Sequence, residues 1–170
     1  TAYDLLEHAY QPSMFWPPQT ALNPRKAMVT QAVTAEYYRI IQPHLVAGHA
    51  LGESSALTAA GAFSIADAAR LLKLRGQSMQ AAVPVGQGAM TALLGVGLDV
   101  ATKIAADAAQ GDCCDVANDN EPTQVVLSGH KRAIDRVAEV GKAHGLRRAI
   151  PLPVFAPFHC ALMKPAADAM

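Results

Sequence analysis

The sequence predicts a protein of the α/β class in which a small β-α-β-β-α-β unit is inserted into a larger lobe. Three observations predict this class. A tight turn with glycines at both ends, residues 48–52, lies between an apolar segment and a helical one. A long amphipathic helix begins at Ile65. Strand and helix patterns then alternate over residues 89–152 in the order of a split βαβ unit.

Composition limits the classes of partner. The 170 residues are 51% hydrophobic and carry 14 basic and 14 acidic side chains, so the formal net charge is zero. Such a chain has no electrostatic attraction to nucleic acid or to an anionic membrane. Charged residues and glycine interrupt every apolar stretch before it reaches a bilayer-spanning length, and no signal peptide opens the chain. We expect a cytoplasmic protein without nucleic-acid or membrane partners.

The cysteines do not form a recognisable pattern. Cys113 and Cys114 are adjacent, and Cys160 lies far along the chain. Neither a disulfide framework nor a zinc site has this spacing. We therefore expect reduced thiols and no metal.

The turn at residues 48–52 has the form of a nucleophile elbow. Residues 44–53 predict a buried strand, a sharp turn and the start of a helix, and the turn reads Gly48-His49-Ala50-Leu51-Gly52. This is Gly-x-Ser-x-Gly with alanine at the serine position. Both glycines are expected because a sharp strand-to-helix reversal leaves no room for Cβ atoms. The chain keeps the means of presenting a nucleophile and lacks the nucleophile.

Helical segments flank the elbow. Residues 3–8 and 24–41 predict helices, the second with Asn23 as N-cap and Pro24 in its first turn. Residues 53–62 predict a helix of small residues, and Ser64 with Asp67 predicts the capped start of a helix over 65–82. A last helix is expected over 161–170. Both ends of the chain fall within predicted helices, so we expect a fragment of a longer domain.

Arg75 occupies an unusual place on the helix over 65–82. A helical projection places it in the middle of an apolar stripe formed by Ile65, Ala68, Leu71, Leu72 and Met79. A guanidinium on an apolar face needs an anion, because its burial is otherwise costly. The anion is either a ligand carboxylate or an Asp or Glu of the protein, unless the side chain extends outward to water. Beside an elbow we favour the ligand.

The inserted unit has four strands and two helices. Strands are expected over 89–94, 113–118, 124–128 and 147–152, and helices over 98–110 and 130–144, the second with Ile134, Val137 and Val140 inward and Gly145 as its stop. This order is that of a ferredoxin-like unit. The predicted domains are a small subdomain over 86–152 and a large lobe over 1–85 and 153–170. Gly86-Gln87-Gly88 precedes a strand, which argues against dinucleotide binding.

A histidine follows the small subdomain at the mouth of the last helix. His159 lies in Ala156-Pro157-Phe158-His159-Cys160, and its residue type suits a general base for an elbow nucleophile. Together with 48–53, 74–76, 88–90 and 124–129, this segment resembles the malonyl-CoA:acyl carrier protein transacylases of bacterial fatty-acid synthesis. A more distant resemblance is to the acyltransferase domains of polyketide synthases. The likeness covers nearly the whole chain, in the same order.

The resemblance implies a partial α/β-hydrolase-like large lobe and a role for each matching residue. The nucleophilic serine of the family falls on Ala50, its catalytic histidine on His159, and the arginine that binds the malonyl carboxylate on Arg75. The backbone N–H of Leu51 would provide half of the oxyanion hole.

Further positions bear on substrate selection. Leu51, and Phe158 before the histidine, are similar to the pattern of malonyl-selective members. His49 and Asn118 match positions that line the cleft of the family.

The implied reaction is ping-pong malonyl transfer. A serine attacks malonyl-CoA with histidine as base, and the phosphopantetheine thiol of acyl carrier protein then takes the malonyl group. No metal or redox cofactor takes part, and a monomer is expected. With Ala50 the chain is expected to be inactive. It also departs from the family pattern at Phe155, Ser54 and the pair Arg25-Lys26.

Two other functions remain open at this point. An α/β-hydrolase esterase shares the elbow, but Arg75 and the inserted subdomain argue against it. A non-catalytic module that binds carrier protein or CoA is favoured by Ala50. An unrelated α/β domain would need five ordered motifs to match by chance.

Overall fold

The computed structural model describes residues 45–154 and 156–170, and the chain divides between Gly76 and Gln77 into two units. The helices predicted over 3–8 and 24–41, the pair Arg25-Lys26 and Phe155 lie outside the described residues. No helix within the described ranges combines the length and the apolar character needed to cross a membrane.

The first unit contains helix α1 (Leu51–Ala59) and most of helix α2 (Ile65–Ala82). Helix α1 begins two residues earlier than predicted, because the turn itself makes the first helical bonds. The N–H of Gly52 donates to the carbonyl of His49 over 2.9 Å, and that of Glu53 to the carbonyl of Ala50 over 3.2 Å. The helix also ends three residues before the predicted Ala62.

The buried strand predicted before the elbow is wrong for residues 45–49. These residues form no strand, and Leu45 is 92% exposed. A strand exists only where a neighbouring strand satisfies its backbone N–H and C=O groups. Within the described residues, no strand pairs with this segment. Its apolar composition alone was therefore a misleading signal.

Helix α2 has the predicted bounds and the predicted cap. The Ser64 hydroxyl accepts the Asp67 N–H over 3.0 Å and donates to the Asp67 carboxylate over 2.6 Å. Arg70 pairs with the same carboxylate and is exposed, as expected for the outer face. Ser64 thus satisfies one of the N–H groups that a helix start leaves without a partner.

The second unit contains a four-stranded antiparallel sheet. Its strands are β1 (Gly88–Leu94), β2 (Cys114–Glu121), β3 (Gln124–His130) and β4 (Arg148–Pro151), in the spatial order β2-β3-β1-β4. Helix α3 (Leu98–Ala109) joins β1 to β2, and helix α4 (Lys131–Ala143) joins β3 to β4. The α/β class is confirmed, and the order of elements over 88–151 agrees with the prediction. Strand β2 extends beyond the predicted Asn118 and contains irregularities.

The two faces of this sheet bury different clusters. One face packs against α3 and α4, with Leu93, Val125 and Leu127 fully buried beside Ile104 and Val137. The opposite face presents Met90, Ala92 and Val126, and the partly buried residues packed on them include Ile150, Leu152, Val154 and Phe158. The chain that leaves β4 therefore returns across the second face.

The chain ends in a 3-10 turn (Ala161–Met163) and a short helix α5 (Lys164–Asp168), rather than in the single helix predicted over 161–170. Pro165 lies in the first turn of α5. Because proline has no N–H, it cannot donate the backbone bond that would continue a helix from Ala161. The α-helix accordingly begins only at Lys164.

An ion-pair network joins the C-terminal end of α3 to the first two turns of α4. The Arg136 guanidinium donates to the carbonyls of Ala108 and Ala109, over 2.8 and 2.7 Å, at the C-terminal end of α3. It also binds Asp112 over 2.9 Å, and Arg132 binds the same carboxylate over 2.8 Å. The hydrogen bond from Arg136, with the charges of both arginines, holds the pKa of Asp112 below its usual range.

We predict that Asp112 makes the stability of the protein depend on pH in the acid range. A folded pKa below the unfolded value of about 3.9 stabilises the folded state above that value and loses the contribution as the pH falls through the folded pKa. Urea unfolding between roughly pH 5 and pH 2 should therefore show a shallower pH slope for Asp112→Asn than for the parent. The exposed Asp99→Asn is the control, and equal slopes for the parent and Asp112→Asn would contradict the prediction.

Candidate functional site

The elbow residue Ala50 has a strained backbone. Its φ is 53° and its ψ is −117°, and it directly precedes α1 as the N-cap residue. A non-glycine residue with these angles lies outside the allowed α, β and left-handed helical regions. Such a conformation costs about 1–3 kcal/mol and persists where surrounding structure enforces it. A sharp, strained turn into a helix is the geometry by which a nucleophile elbow exposes its side chain.

The two glycines of the elbow are not equivalent. A Cβ atom at Gly48 would lie 2.0 Å from the carbonyl oxygen of Gly52, so the turn can close only if residue 48 has no side chain. A Cβ at Gly52 meets nothing within 4 Å among the described residues. Among the described residues, the expectation that a side chain is excluded therefore holds for Gly48 and not for Gly52.

Leu51 and His49 flank Ala50. As the first residue of α1, Leu51 has a backbone N–H without an acceptor inside the helix. This N–H belongs to the positive end of the helix dipole, which favours negative charge. The His49 side chain is exposed, and it is not without an interaction partner. The turn thus presents a donor beside the Ala50 position, as an oxyanion hole requires.

Arg75 lies in α2 within the first unit, and its side chain is partly buried. Burial lowers the pKa of its guanidinium. No carboxylate of residues 45–154 and 156–170 forms an ion pair with it, whereas the exposed Arg70 of the same helix is paired with Asp67. The sequence left open that an Asp or Glu of the protein pairs with Arg75. No such salt bridge exists within the described residues. The guanidinium remains suited to an anionic ligand.

His159 lies in a turn of the second unit that is anchored on both sides. It has a φ of 58°, in the left-handed region, and it is exposed. Before it, Pro157 is fully buried, and its ring lies 2.3 Å from the position that a Cβ at Gly88 would occupy. After it, the N–H of Ala161 donates to the Asp115 carboxylate over 2.7 Å. These contacts fix the chain on both sides of His159.

Phe158 and Asn118 approach the same face of the sheet. Phe158 packs against the cluster of Met90, Ala92 and Val126. Asn118 pairs with Val126 across β2 and β3, so their side chains point to one face. None of the three residues Phe158, His159 and Asn118 is without an interaction partner.

The site residues predicted from the sequence fall into two groups. His49, Ala50, Leu51 and Arg75 belong to the first unit. Asn118, Phe158 and His159 belong to the second unit.

Sequence reasoning missed Asp115. The Asp115 carboxylate positions the turn of His159 from 46 positions away. A contact between segments that are distant in the chain leaves no local pattern, so no signal in the sequence identified this residue.

Cys113 and Cys114 of the second unit are not activated thiols. Burial raises the pKa of Cys113 to about 12, with further contributions from Cys160 and Asp115 beside it. Burial also raises the pKa of Cys114 to about 11. A reactive cysteine needs a lowered pKa, because the thiolate is the nucleophile. Neither Cys113 nor Cys114 is therefore suited to replace the hydroxyl that Ala50 lacks.

Comparisons with known proteins agree on one family. A family model described as acyl transferase domain matches residues 28–170. The malonyl CoA-acyl carrier protein transacylase of Escherichia coli K12 is 48% identical over an alignment of 148 residues, which covers 84% of this chain and 47% of that protein. The corresponding protein of Bacillus subtilis is 45% identical over 129 residues, 75% of this chain and 41% of the relative. The chain spans about half the length of these relatives.

Solved structures give the same result. An acyl carrier protein S-malonyltransferase from Vibrio cholerae superposes with a TM-score of 0.80 at 46% identity, covering 85% of this chain and 49% of that one. A malonyl-transacylase in complex with a type II PKS acyl-carrier protein superposes with a TM-score of 0.80 at 42% identity, and the coverage is 85% and 49%.

We predict opposite effects for alanine at the two glycines of the elbow. Gly48→Ala should lower the free energy of unfolding by about 1–3 kcal/mol, because its Cβ would overlap the Gly52 carbonyl. Gly52→Ala, the matched control, should leave stability unchanged or raise it by about 0.5–1 kcal/mol, since alanine is the better helix former. Denaturant unfolding measures both, and equal losses would contradict the geometry of this turn.

We also predict that Ala50→Gly stabilises the protein, because glycine adopts a positive φ without strain. The relief should exceed the added entropy of the unfolded chain and raise the free energy of unfolding by about 1 kcal/mol. Ala56→Gly, within α1, is the control and should lower it by about 1 kcal/mol. A loss of similar size in both variants would show that Ala50 is unstrained.

Proposed function

We propose that this chain, which belongs to the acyl transferase domain family, is part of a malonyl-CoA:acyl carrier protein transacylase. It would be the part that carries the nucleophile position. The substrates would be malonyl-CoA and the phosphopantetheine thiol of acyl carrier protein, in fatty-acid synthesis. No metal or redox cofactor is needed for this chemistry. We further propose a cytoplasmic monomer.

The backbone of Ala50 is the observation that carries this proposal. A methyl group gains no function from a strained φ of 53°. A serine hydroxyl at this position would gain reactivity, because the turn would expose it beside the Leu51 N–H. The elbow therefore has the form expected when a hydroxyl is presented for acyl transfer.

Arg75 supports the malonyl class of substrate. Its partly buried guanidinium has no carboxylate partner among residues 45–154 and 156–170, and burial lowers its pKa. A malonyl group ends in a free carboxylate, which would bind the guanidinium through two parallel hydrogen bonds. An acetyl group has no carboxylate and would leave the cation unpaired. This difference would select malonyl over acetyl.

His159 is proposed as the general base. Its anchored turn would hold the imidazole in one orientation, with Phe158 packed on the sheet behind it. The imidazole would take the proton from a serine hydroxyl at position 50 as that oxygen attacks the thioester. The imidazolium would then return the proton to the CoA sulfur as the carbon–sulfur bond breaks. In the second half-reaction the thiol of the carrier protein would lose its proton to the same imidazole.

The remaining site residues are proposed to shape the pocket. The N–H of Leu51 would stabilise the oxyanion of each tetrahedral intermediate. Phe158, with the Leu51 side chain, would favour the malonyl group over larger acyl groups, and His49 and Asn118 would line the cleft.

We also propose the division into lobes given by the sequence pattern. Residues 86–152 would form a ferredoxin-like subdomain, and residues 1–85 and 153–170 would belong to an α/β-hydrolase-like large lobe. The antiparallel sheet order β2-β3-β1-β4, with two helices on one face, supports the first part.

A second candidate is a non-catalytic module that binds CoA or carrier protein. The methyl side chain of Ala50 favours it, because this chain cannot form an acyl-enzyme. Both candidates would bind CoA or carrier protein, so an experiment that restores the hydroxyl distinguishes them. The esterase alternative shares the elbow, but the partly buried Arg75 argues against it, since a plain acyl pocket needs no buried cation.

We predict that Ala50→Ser, in the full-length protein that contains this chain, creates malonyl transfer from malonyl-CoA to carrier protein. The gain should be at least about 10³-fold, because loss of a nucleophile removes most of the catalysed rate. Transfer is measured with radiolabelled malonyl-CoA, and mass spectrometry checks that the acyl group is attached at position 50. Binding of malonyl-CoA without transfer by the revertant would favour the non-catalytic module. Rapid turnover of short uncharged esters would favour the esterase.

The role of Arg75 is tested in the revertant. Arg75→Leu should lower kcat/KM for malonyl-CoA by roughly 10- to 150-fold. This is the fold-change that corresponds to the loss of a hydrogen bond between charged groups. The rate with acetyl-CoA should fall much less or rise. Arg70→Leu removes an exposed arginine from the same helix and is the matched control. Equal losses with malonyl-CoA and acetyl-CoA would exclude the proposed carboxylate contact.

A further inference from the structure

Three ligand-type side chains meet in the second unit, at a place that the acyl-transfer chemistry does not use. They are Cys113, just before β2, Asp115, within β2, and Cys160, in the turn that follows His159. Both sulfur atoms and one carboxylate oxygen lie within 4.8 Å of one another. The Cys113 thiol donates to Asp115 Oδ2 over 3.3 Å. The fold thus brings Cys160 to two residues that are more than forty positions away.

The spacing of these atoms matches a tetrahedral thiolate site. With zinc–sulfur bonds of about 2.3 Å and zinc–oxygen bonds of about 2.0–2.2 Å, neighbouring ligand atoms of a tetrahedral ion lie about 3.4–3.8 Å apart. The observed separations, 3.3 Å for one pair and at most 4.8 Å for all three, lie within about 1 Å of these values. Two thiolates with a carboxylate select a thiophilic divalent ion over magnesium or calcium.

The surroundings hold the ligands in place. Asp115 Oδ2 accepts the Ala161 N–H over 2.7 Å, the kind of outer hydrogen bond that orients a ligating carboxylate. The Cys160 thiol lies 3.1 Å from the Pro157 carbonyl, in the anchored turn. All three side chains are partly exposed, so an ion can enter and water can occupy a fourth position.

A neighbouring serine gives a second, independent sign of a polar site. Ser128 pairs with Asp115 across β2 and β3, so their side chains point to the same face of the sheet. Ser128 is fully buried, and no group of the described residues forms a hydrogen bond with its hydroxyl. A buried hydroxyl without a partner is costly, and it calls for a polar occupant on that face.

We propose that Cys113, Asp115 and Cys160 bind one zinc ion, with a water molecule as the fourth ligand. On binding, two sulfur–zinc bonds form, and the two thiol protons leave to solvent, whereas the carboxylate binds without losing a proton. Cys114 takes no part, because its side chain lies in the cluster on the opposite face of the sheet. The ion would join the start of β2 to the turn of His159. This proposal does not depend on the acyl-transfer function.

The test uses cobalt as a spectroscopic probe and the purified, reduced protein. Cobalt titration should produce thiolate charge-transfer absorption and the visible bands of a tetrahedral ion, saturating at one ion per chain, and zinc should abolish both. Cys113→Ser and Cys160→Ser should each lose the charge-transfer intensity or reduce it by half. Cys114→Ala, the matched control, should retain all of it. Absence of the thiolate band in the parent, or its persistence in both ligand variants, overturns the proposal.

A measurement on the parent protein does not depend on whether a variant folds. Alkylation of the native protein, followed by mass spectrometry, should show that zinc protects Cys113 and Cys160, and zinc should raise the thermal midpoint. Equal alkylation with and without zinc overturns the proposal. Binding only at millimolar zinc, or a Cys113–Cys160 disulfide that persists with reductant present, overturns it as well.

Discussion

The position of strand β1 is the constraint on which the second unit depends. It lies between β3 and β4, and alternate side chains pack on opposite faces of the sheet. Leu93 faces the helices, and Met90 and Ala92 face the segment that returns after β4. At its first residue, Gly88, the absence of a side chain admits the Pro157 ring. The same strand therefore contributes to both apolar clusters and contacts the turn that carries His159.

The first unit depends on a constraint of another kind, a strained backbone at one residue. Ala50 is held at a positive φ because Gly48 lets the chain pass within contact of the Gly52 carbonyl and because α1 begins at once. The strain belongs to the turn and not to the side chain, so the turn keeps this form with alanine at position 50.

Most helices and strands were predictable because each has a local signal. Ser64 caps α2, Gly145 ends the last turn after α4, and alternation of apolar residues marks β1 and β3. The segment 45–49 was not predictable in this way, since an apolar run becomes a strand only when a partner is present. The helix expected over 161–170 is too long, because Pro165 has no N–H with which to extend a helix from Ala161.

The sequence by itself determined the kinds of chemistry available: an elbow without a hydroxyl, an arginine on an apolar helix face and a histidine after a proline. These are local properties, set by residue type and helical or strand period. Only the tertiary structure decided which distant groups meet. It brought the Asp115 carboxylate to the turn of His159 and the Cys160 sulfur to Cys113. It also showed that, among the described residues, a Cβ atom is excluded at Gly48 and not at Gly52. Such contacts depend on how distant segments pack together, and the local spacing of residues along the chain does not reveal that packing.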